Sequence, residues 1–196
     1  MIPANDIQKM KDSYYKSEFS KRFYDFEKAS PKIDIKDIIA TSIRERDSNA
    51  FSMAMDLGFH FKFFEEESKA NDTERNEICS MIGYTIEQYW HNEHENIVEV
   101  LQMMHSPAAV EPLRRAVFAK PPLLVETDDA DGLSRKAIWG LGKLILPVRG
   151  GPVDAAARKA AFQELTKLAN HPDTVVAARA NEQLERFAAS GLDLSA

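Results

Sequence analysis

The chain has a single cysteine, Cys79, among 196 residues. That excludes an intramolecular disulfide and a cysteine-rich zinc site, and a reducing, cytoplasmic setting is expected. No stretch of about 18 apolar residues occurs, so no membrane-spanning helix is expected. The start, Met1-Ile2-Pro3-Ala4-Asn5-Asp6, has no basic segment followed by an apolar core, so no secretory leader is read from it. Glycine is scarce, with eight residues. Gly140 and Gly142 fall inside a helical pattern and Gly150-Gly151 in a turn, so no phosphate-cradling loop is formed. Period-two alternation is missing, and Asp131-Gly132 precedes a helical pattern rather than a hairpin, so strands are not expected.

What is present suits a folded chain: 44% hydrophobic and 29% charged residues. The net charge of −6 is unevenly placed. Residues 1–36 hold eight basic and six acidic side chains, residues 37–105 five and fourteen, and residues 106–196 twelve and eleven. The middle third thus carries the whole negative excess. Such a field repels nucleic acid and favours a basic partner, unless it is only a solvated helix face.

Helical periodicity runs through the chain. Residues 5–28 carry Ile7, Met10, Tyr14, Phe19, Phe23 and Phe26, and Pro31 ends them. Residues 34–46 place Ile35, Ile38, Ile39 and Ile43 on one face. Asp47-Ser48-Asn49 reads as a turn and new N-cap, before 49–67 with Met53, Leu57, Phe61 and Phe64. Asn71-Asp72-Thr73 is the next break. Residues 73–90 carry Ile78, Ile82, Ile86 and Tyr89, and 93–105 carry Ile97, Leu101 and Met104. After Ser106-Pro107, residues 107–119 and 132–146 follow, then a Gly/Pro turn from Pro147 to Pro152. Residues 153–169 and a last helix capped by His171-Pro172-Asp173 complete the chain. After the first helix these segments alternate in pairs. The second members hold central anchors Leu57, Leu101, Leu141 and Leu184, separated by 44, 40 and 43 residues. Two helices per period of about 40–47 residues is the spacing of HEAT and armadillo repeats.

The residues carry the same resemblance. Ser106-Pro107-Ala108-Ala109-Val110-Glu111-Pro112-Leu113 resembles the opening helix of a HEAT unit. The stretch from Leu133 to Leu144 resembles its second helix, with small Ala and Gly allowing close approach. Leu133, Ala137, Leu141 and Leu144 recur as Val176, Ala180, Leu184 and Phe187. Ser134 and Ala177 stand where the family often has arginine. The resemblance is good over 93–188 and weak over 34–92. It implies an all-α fold: a short right-handed α-solenoid of about four HEAT-like helix pairs with an N-terminal capping helix. The expected organisation is one domain over 1–196, with a cap at 5–30, pairs at 34–67, 73–105, 107–146 and 153–188, and a tail at 189–196. Six aromatics between Tyr14 and Phe26 fit either a lid on the first pair or an exposed patch.

Candidate chemistry is sparse. His91 and His94 are spaced i, i+3, and Glu87 and His91 i, i+4, a spacing that can converge on a metal. His94-Glu95 also resembles the dipeptides of HEAT-type deoxyhypusine hydroxylases, which need several across different repeats. The cluster falls at a helix–helix turn and reads as polar. Cys79, among Ile78, Met81 and Ile82, reads as a buried thiol. No catalytic residue, metal ligand or cofactor is assigned. The HEAT-type DNA glycosylases use a cationic groove, which the acidic middle argues against.

Partner-binding residues are expected in three places. The acidic segment offers Asp56, Glu65, Glu66, Glu67, Glu93, Glu95 and Glu99. The break at 120–132, apolar then acidic, offers Asp128, Asp129 and Asp131. Trp139 lies off its helix's core stripe, as an interface anchor does. Glu65-Glu66-Glu67 reads as ending a helix, where carboxylates oppose the dipole. Size, charge and scaffold together resemble small bacterial immunity proteins that neutralise a cognate toxin. The expected function is non-catalytic binding of a basic protein by a monomer or heterodimer, without nucleic acid or membrane. A bilin lyase, a metal-dependent hydroxylase or a scaffold subunit of a larger complex are the alternatives.

Overall fold

Short polar residues set where the helices start. In the computed structural model, which describes residues 4–16, 34–146 and 154–192, every regular element is helical. The first is α1 (Ala4–Lys16), followed by α2 (Ile35–Glu45), α3 (Ser48–His60), α4 (Phe63–Glu67) and α5 (Asp72–Gly83). Then come α6 (His94–Met103), a 3₁₀ turn (Pro107–Ala109), α7 (Val110–Phe118) and α8 (Pro122–Glu126). The last three are α9 (Ala130–Ile145), α10 (Ala155–Leu168) and α11 (Thr174–Ala189). The side chains of Asp34, Asp47, Asn71, Asp154 and Asp173 each accept a bond from a backbone N–H in the first turn of the helix that follows. Each satisfies a donor that the helix itself leaves orphaned. No helix among the described residues is long and apolar enough to cross a membrane. The expected cap segment 17–30 and the turn 147–153 lie outside the described residues, as do 193–196.

Four boundaries differ from the sequence reading. The segment 49–67 is two helices, broken at Phe61-Lys62, where Lys62 is left-handed at φ 59°. The buried Phe64 ring folds back against Gly58, which has no Cβ to obstruct it. Glu65, Glu66 and Glu67 are the last three residues of the five-residue α4, so the acidic run ends a helix as expected, although a helix this short has little dipole to oppose them. The segment 73–90 stops being helix at Gly83. Thr85 Oγ1 donates to the Ile82 carbonyl at 2.7 Å, and Arg115 Nη2 donates to the Gly83 carbonyl at 2.9 Å. The backbone continues in turns, with Thr85 N–H on the Ile82 carbonyl and Ile86 N–H on the Gly83 carbonyl, and Tyr89 is exposed rather than on an apolar face. The 120–132 break is interrupted by α8 and ends when α9 begins at Ala130, so Asp131 is helical. Residues 107–109 form a 3₁₀ turn rather than α-helix.

The chain divides into two compact units. One comprises Met1–Glu66 with Trp90–Glu93, the other Glu67–Tyr89 with His94–Ala196. In the first, α3 packs against α1 and α2. Tyr14, 1% exposed, donates its hydroxyl to Asp56 at 2.6 Å, and Lys11 pairs with Asp47 at 2.5 Å. Phe51 is wholly buried against Trp90 and His91, with ring centroids 5.3 and 4.9 Å away.

In the second unit α9 is central, packing against α6, α7, α10 and α11. Its buried stripe is Leu133, Ala137, Leu141 and Leu144, the period expected of a core helix. Leu101 and Leu141 are fully buried anchors, whereas Leu184 is only half-buried. Cross-helix pairs show the direction of travel. Asp131 pairs with Arg179 and Trp139 stacks under Arg186, so α9 and α11 run the same way. Glu95 meets Lys136, and Gln102 lies beside Gly140, so α6 runs with them too.

Candidate functional site

Two surfaces of the second unit stand out once the core is accounted for. The first is the segment 119–129. Pro122 opens α8 at a position where no N–H is needed. Val125 N–H and Thr127 N–H close the turn on the Pro121 and Leu123 carbonyls, each at 3.0 Å. Asp128 adopts φ 63°, and Asp129 N–H donates to the Leu124 carbonyl at 2.7 Å. The backbone is therefore well bonded, yet α8 buries none of its residues. Leu123 is 42% and Val125 53% exposed, next to the exposed carboxylates of Glu126, Asp128 and Asp129. No Lys or Arg occurs from Pro121 to Ser134. Exposed branched side chains beside single-sign charge are what an interface presents before it is covered.

The second surface is a cleft of about 480 Å³ between α6 and α9. One wall carries Glu95, Glu99 and Gln102, one helical face at i, i+4, i+7. The other carries Arg135, Lys136, Trp139 and Lys143. Lys136 is within 3.6 Å of Glu95. Trp139 is partly exposed, and Arg186 lies over its ring at 4.3 Å from the centroid, a cation–π contact. Gln102 is 8% exposed, and its buried Oε1 has no hydrogen-bond partner. An unmade bond to a buried acceptor costs about 1–3 kcal/mol.

The expected partner residues are dispersed. Asp56 is engaged by Tyr14, and Glu93 accepts from Ser52 at 2.6 Å. Asp131 accepts from Arg179 Nη1 and Nη2, at 2.8 and 2.7 Å, and that guanidinium holds its carboxyl below the usual range. Glu65 and Glu66 are exposed on α4, and Glu67 is half-buried. Only Asp128 and Asp129 come together with exposed apolar side chains, while Glu95, Glu99 and Trp139 come together in the cleft. Gln102, Arg135, Lys136, Lys143 and Arg186 were not singled out by the sequence. Their only signal was polar residues at i, i+3, i+4, i+7 opposite a core stripe, which also describes any solvated face.

The polar turn at 87–95 is tied down by internal hydrogen bonds. His94 is 1% exposed and donates Nε2–H to the Gln88 carbonyl at 3.2 Å. Burial drives its imidazole down to about 4, so it is neutral at physiological pH. His91 Nδ1 accepts from Glu93 N–H at 3.1 Å. Among the described residues no three His, Cys, Asp or Glu side chains group so as to hold a metal ion. Cys79 is fully buried, and burial pushes its thiol up to about 12, far from a nucleophile's range. No protein-family model, curated protein or solved structure matches the chain.

Proposed function

We propose that this chain is a non-catalytic binding module that engages a basic partner protein through the acidic, apolar segment around α8. The observation that carries the reading is a helix with no buried residue that displays Leu123 and Val125 beside Glu126, Asp128 and Asp129. With Leu123 42% and Val125 53% exposed, about half of the roughly 1.5–3 kcal/mol that full burial of such a side chain yields is forgone at each, and a partner's apolar surface would recover part of it. The uniform negative charge selects for lysine and arginine on that partner and speeds encounter.

The scaffold reading that goes with it is a short right-handed α-solenoid of HEAT-like pairs with α1 as part of a lid. The common direction of α6, α9 and α11, each the second helix of a pair, supports that reading. An immunity role fits both. Acidic side chains would occlude the basic cleft of a toxin in the cytoplasm, as a heterodimer.

Two surface variants test this. Leu123→Ser with Val125→Ser removes the apolar contact, and Asp128→Lys with Asp129→Lys reverses the field. The unaltered chain, used as bait at low salt, should retain a stoichiometric protein rich in Lys and Arg. Each variant should weaken that binding at least about tenfold, with the charge reversal acting mainly on the association rate. An acidic partner, or one indifferent to both variants, overturns the proposal.

A further inference from the structure

The α6–α9 cleft has a chemistry unlike that of the α8 segment. Its α6 wall carries the Glu99 carboxylate and Gln102, whose Oε1 is buried and has no hydrogen-bond partner. Its α9 wall supplies cations, Arg135 and Lys143, with Trp139 between them in sequence. Lys136 already faces Glu95, so the carboxylate and ammonium at that point largely answer each other. Arg186 is held over the indole and adds positive charge beside the same wall.

The Gln102 amide is the decisive group. It sits in the contact between α6 and α9, close enough to Gly140 that a Cβ there would lie 3.5 Å from Gln102 Cβ. An apolar residue would fill that place without an unmet acceptor, as Val98 and Leu101 do on the same helix. The terminal amide torsion is soft, so a small turn presents the oxygen to the cleft it lines. A ligand that satisfies all of these groups at once needs three features: an N–H or O–H donor for α6, a flat face for Trp139 and an anionic group for α9. A volume of about 480 Å³ falls in the range of roughly 300–1,000 Å³ that small-molecule sites occupy.

We propose that this cleft binds a planar, ring-bearing organic anion of nucleotide size. Its ring lies on Trp139, its phosphate or carboxylate meets Arg135 and Lys143, and its donor edge bonds to Gln102 Oε1. The site is separate in sequence from the α8 segment, and its occupation does not depend on a partner protein.

The test is calorimetric titration of the full chain with AMP, with adenosine and inorganic phosphate as probes carrying only half the chemistry, and with an acidic pentapeptide. AMP should bind saturably, and adenosine and phosphate each at least about tenfold more weakly. Gln102→Leu should weaken AMP binding about tenfold, while its unfolding midpoint stays equal or rises, because no native hydrogen bond is lost. Arg135→Ser should weaken it further. Quenching of tryptophan fluorescence by AMP should vanish in Trp139→Phe, which separates this indole from Trp90. Absence of saturable AMP binding up to about 1 mM, or AMP affinity unchanged in both Gln102→Leu and Arg135→Ser, overturns the proposal. So does binding of the peptide in place of AMP, which makes the cleft a protein-docking groove. Leu123→Ser with Val125→Ser should leave AMP binding intact, so failure of the partner reading and failure of this one are told apart.

Discussion

Replacing His94 by glutamine should flatten the acid limb of the stability profile. His94 is buried at the start of α6 with its imidazole depressed from 6.5 to about 4, chiefly by burial, against a smaller opposing effect of the Gln88 carbonyl. In the unfolded chain it titrates near 6.5. At pH 8 the ring is neutral in both states and contributes nothing to pH dependence. Between 6.5 and about 4 the unfolded state binds a proton that the folded state refuses. Stability therefore rises with pH in that window, and falls as the medium is acidified through it. Linkage places the loss at about 2 kcal/mol by pH 5. Glutamine keeps an N–H donor for the Gln88 carbonyl but does not titrate. Urea unfolding of both proteins from pH 8 to 5 should show their stability difference shifting by about 2 kcal/mol toward the variant. His105, also lowered by burial and by the charges of Arg75 and Lys143, acts in both proteins and cancels from the difference. The depressed carboxyls of Asp47, Glu111 and Asp131 lose their contribution only at lower pH, below their ordinary values near 4. Parallel profiles would refute the reasoning, because they would mean that His94 is not held neutral by burial.

Three further outcomes follow from packing, capping and burial. Gly58→Ala would put a Cβ 2.3 Å from the buried Phe64 ring. An overpacking cost of about 1–3 kcal/mol should outweigh a helix-propensity gain of about 1 kcal/mol, and an unchanged or higher melting temperature would contradict this. Asp173→Ala removes the acceptor for Val175 N–H and Val176 N–H, at 2.9 and 3.2 Å. It should lower stability by about 1 kcal/mol in urea unfolding, and a loss of zero would show that the cap is idle. Cys79 should resist a thiol reagent in the native protein at pH 8 and react fully once unfolded, whereas labelling at the free-thiol rate in native conditions would mean the residue is reached without unfolding.

The helical class was legible because it depends on local chemistry. Apolar residues at i, i+3, i+4 and i+7 define a face before any partner is known. Asp47, Asn71 and Asp173 announce helix starts through bonds that span only two or three residues. The burial of Leu57, Leu101 and Leu141 follows from the same periodicity. What the sequence could not disclose depends on contacts distant along the chain. The turn that follows α5 is held in part by Arg115, thirty-two residues later, which donates to the Gly83 carbonyl. The acidic segment holds fourteen carboxylates against five basic side chains in sequence, but folding engages Asp56, Glu93 and Glu95 with Tyr14, Ser52 and Lys136. The partners of Asp131 and Trp139, and the unanswered oxygen of Gln102, exist only because α6, α9 and α11 run in the same direction at close range. Local pattern chose the helices, because backbone hydrogen bonds and the nearest side chains are enough to define them. Only the packing of one helix on another decided which charges stayed available, because electrostatic partners are chosen by distance in space.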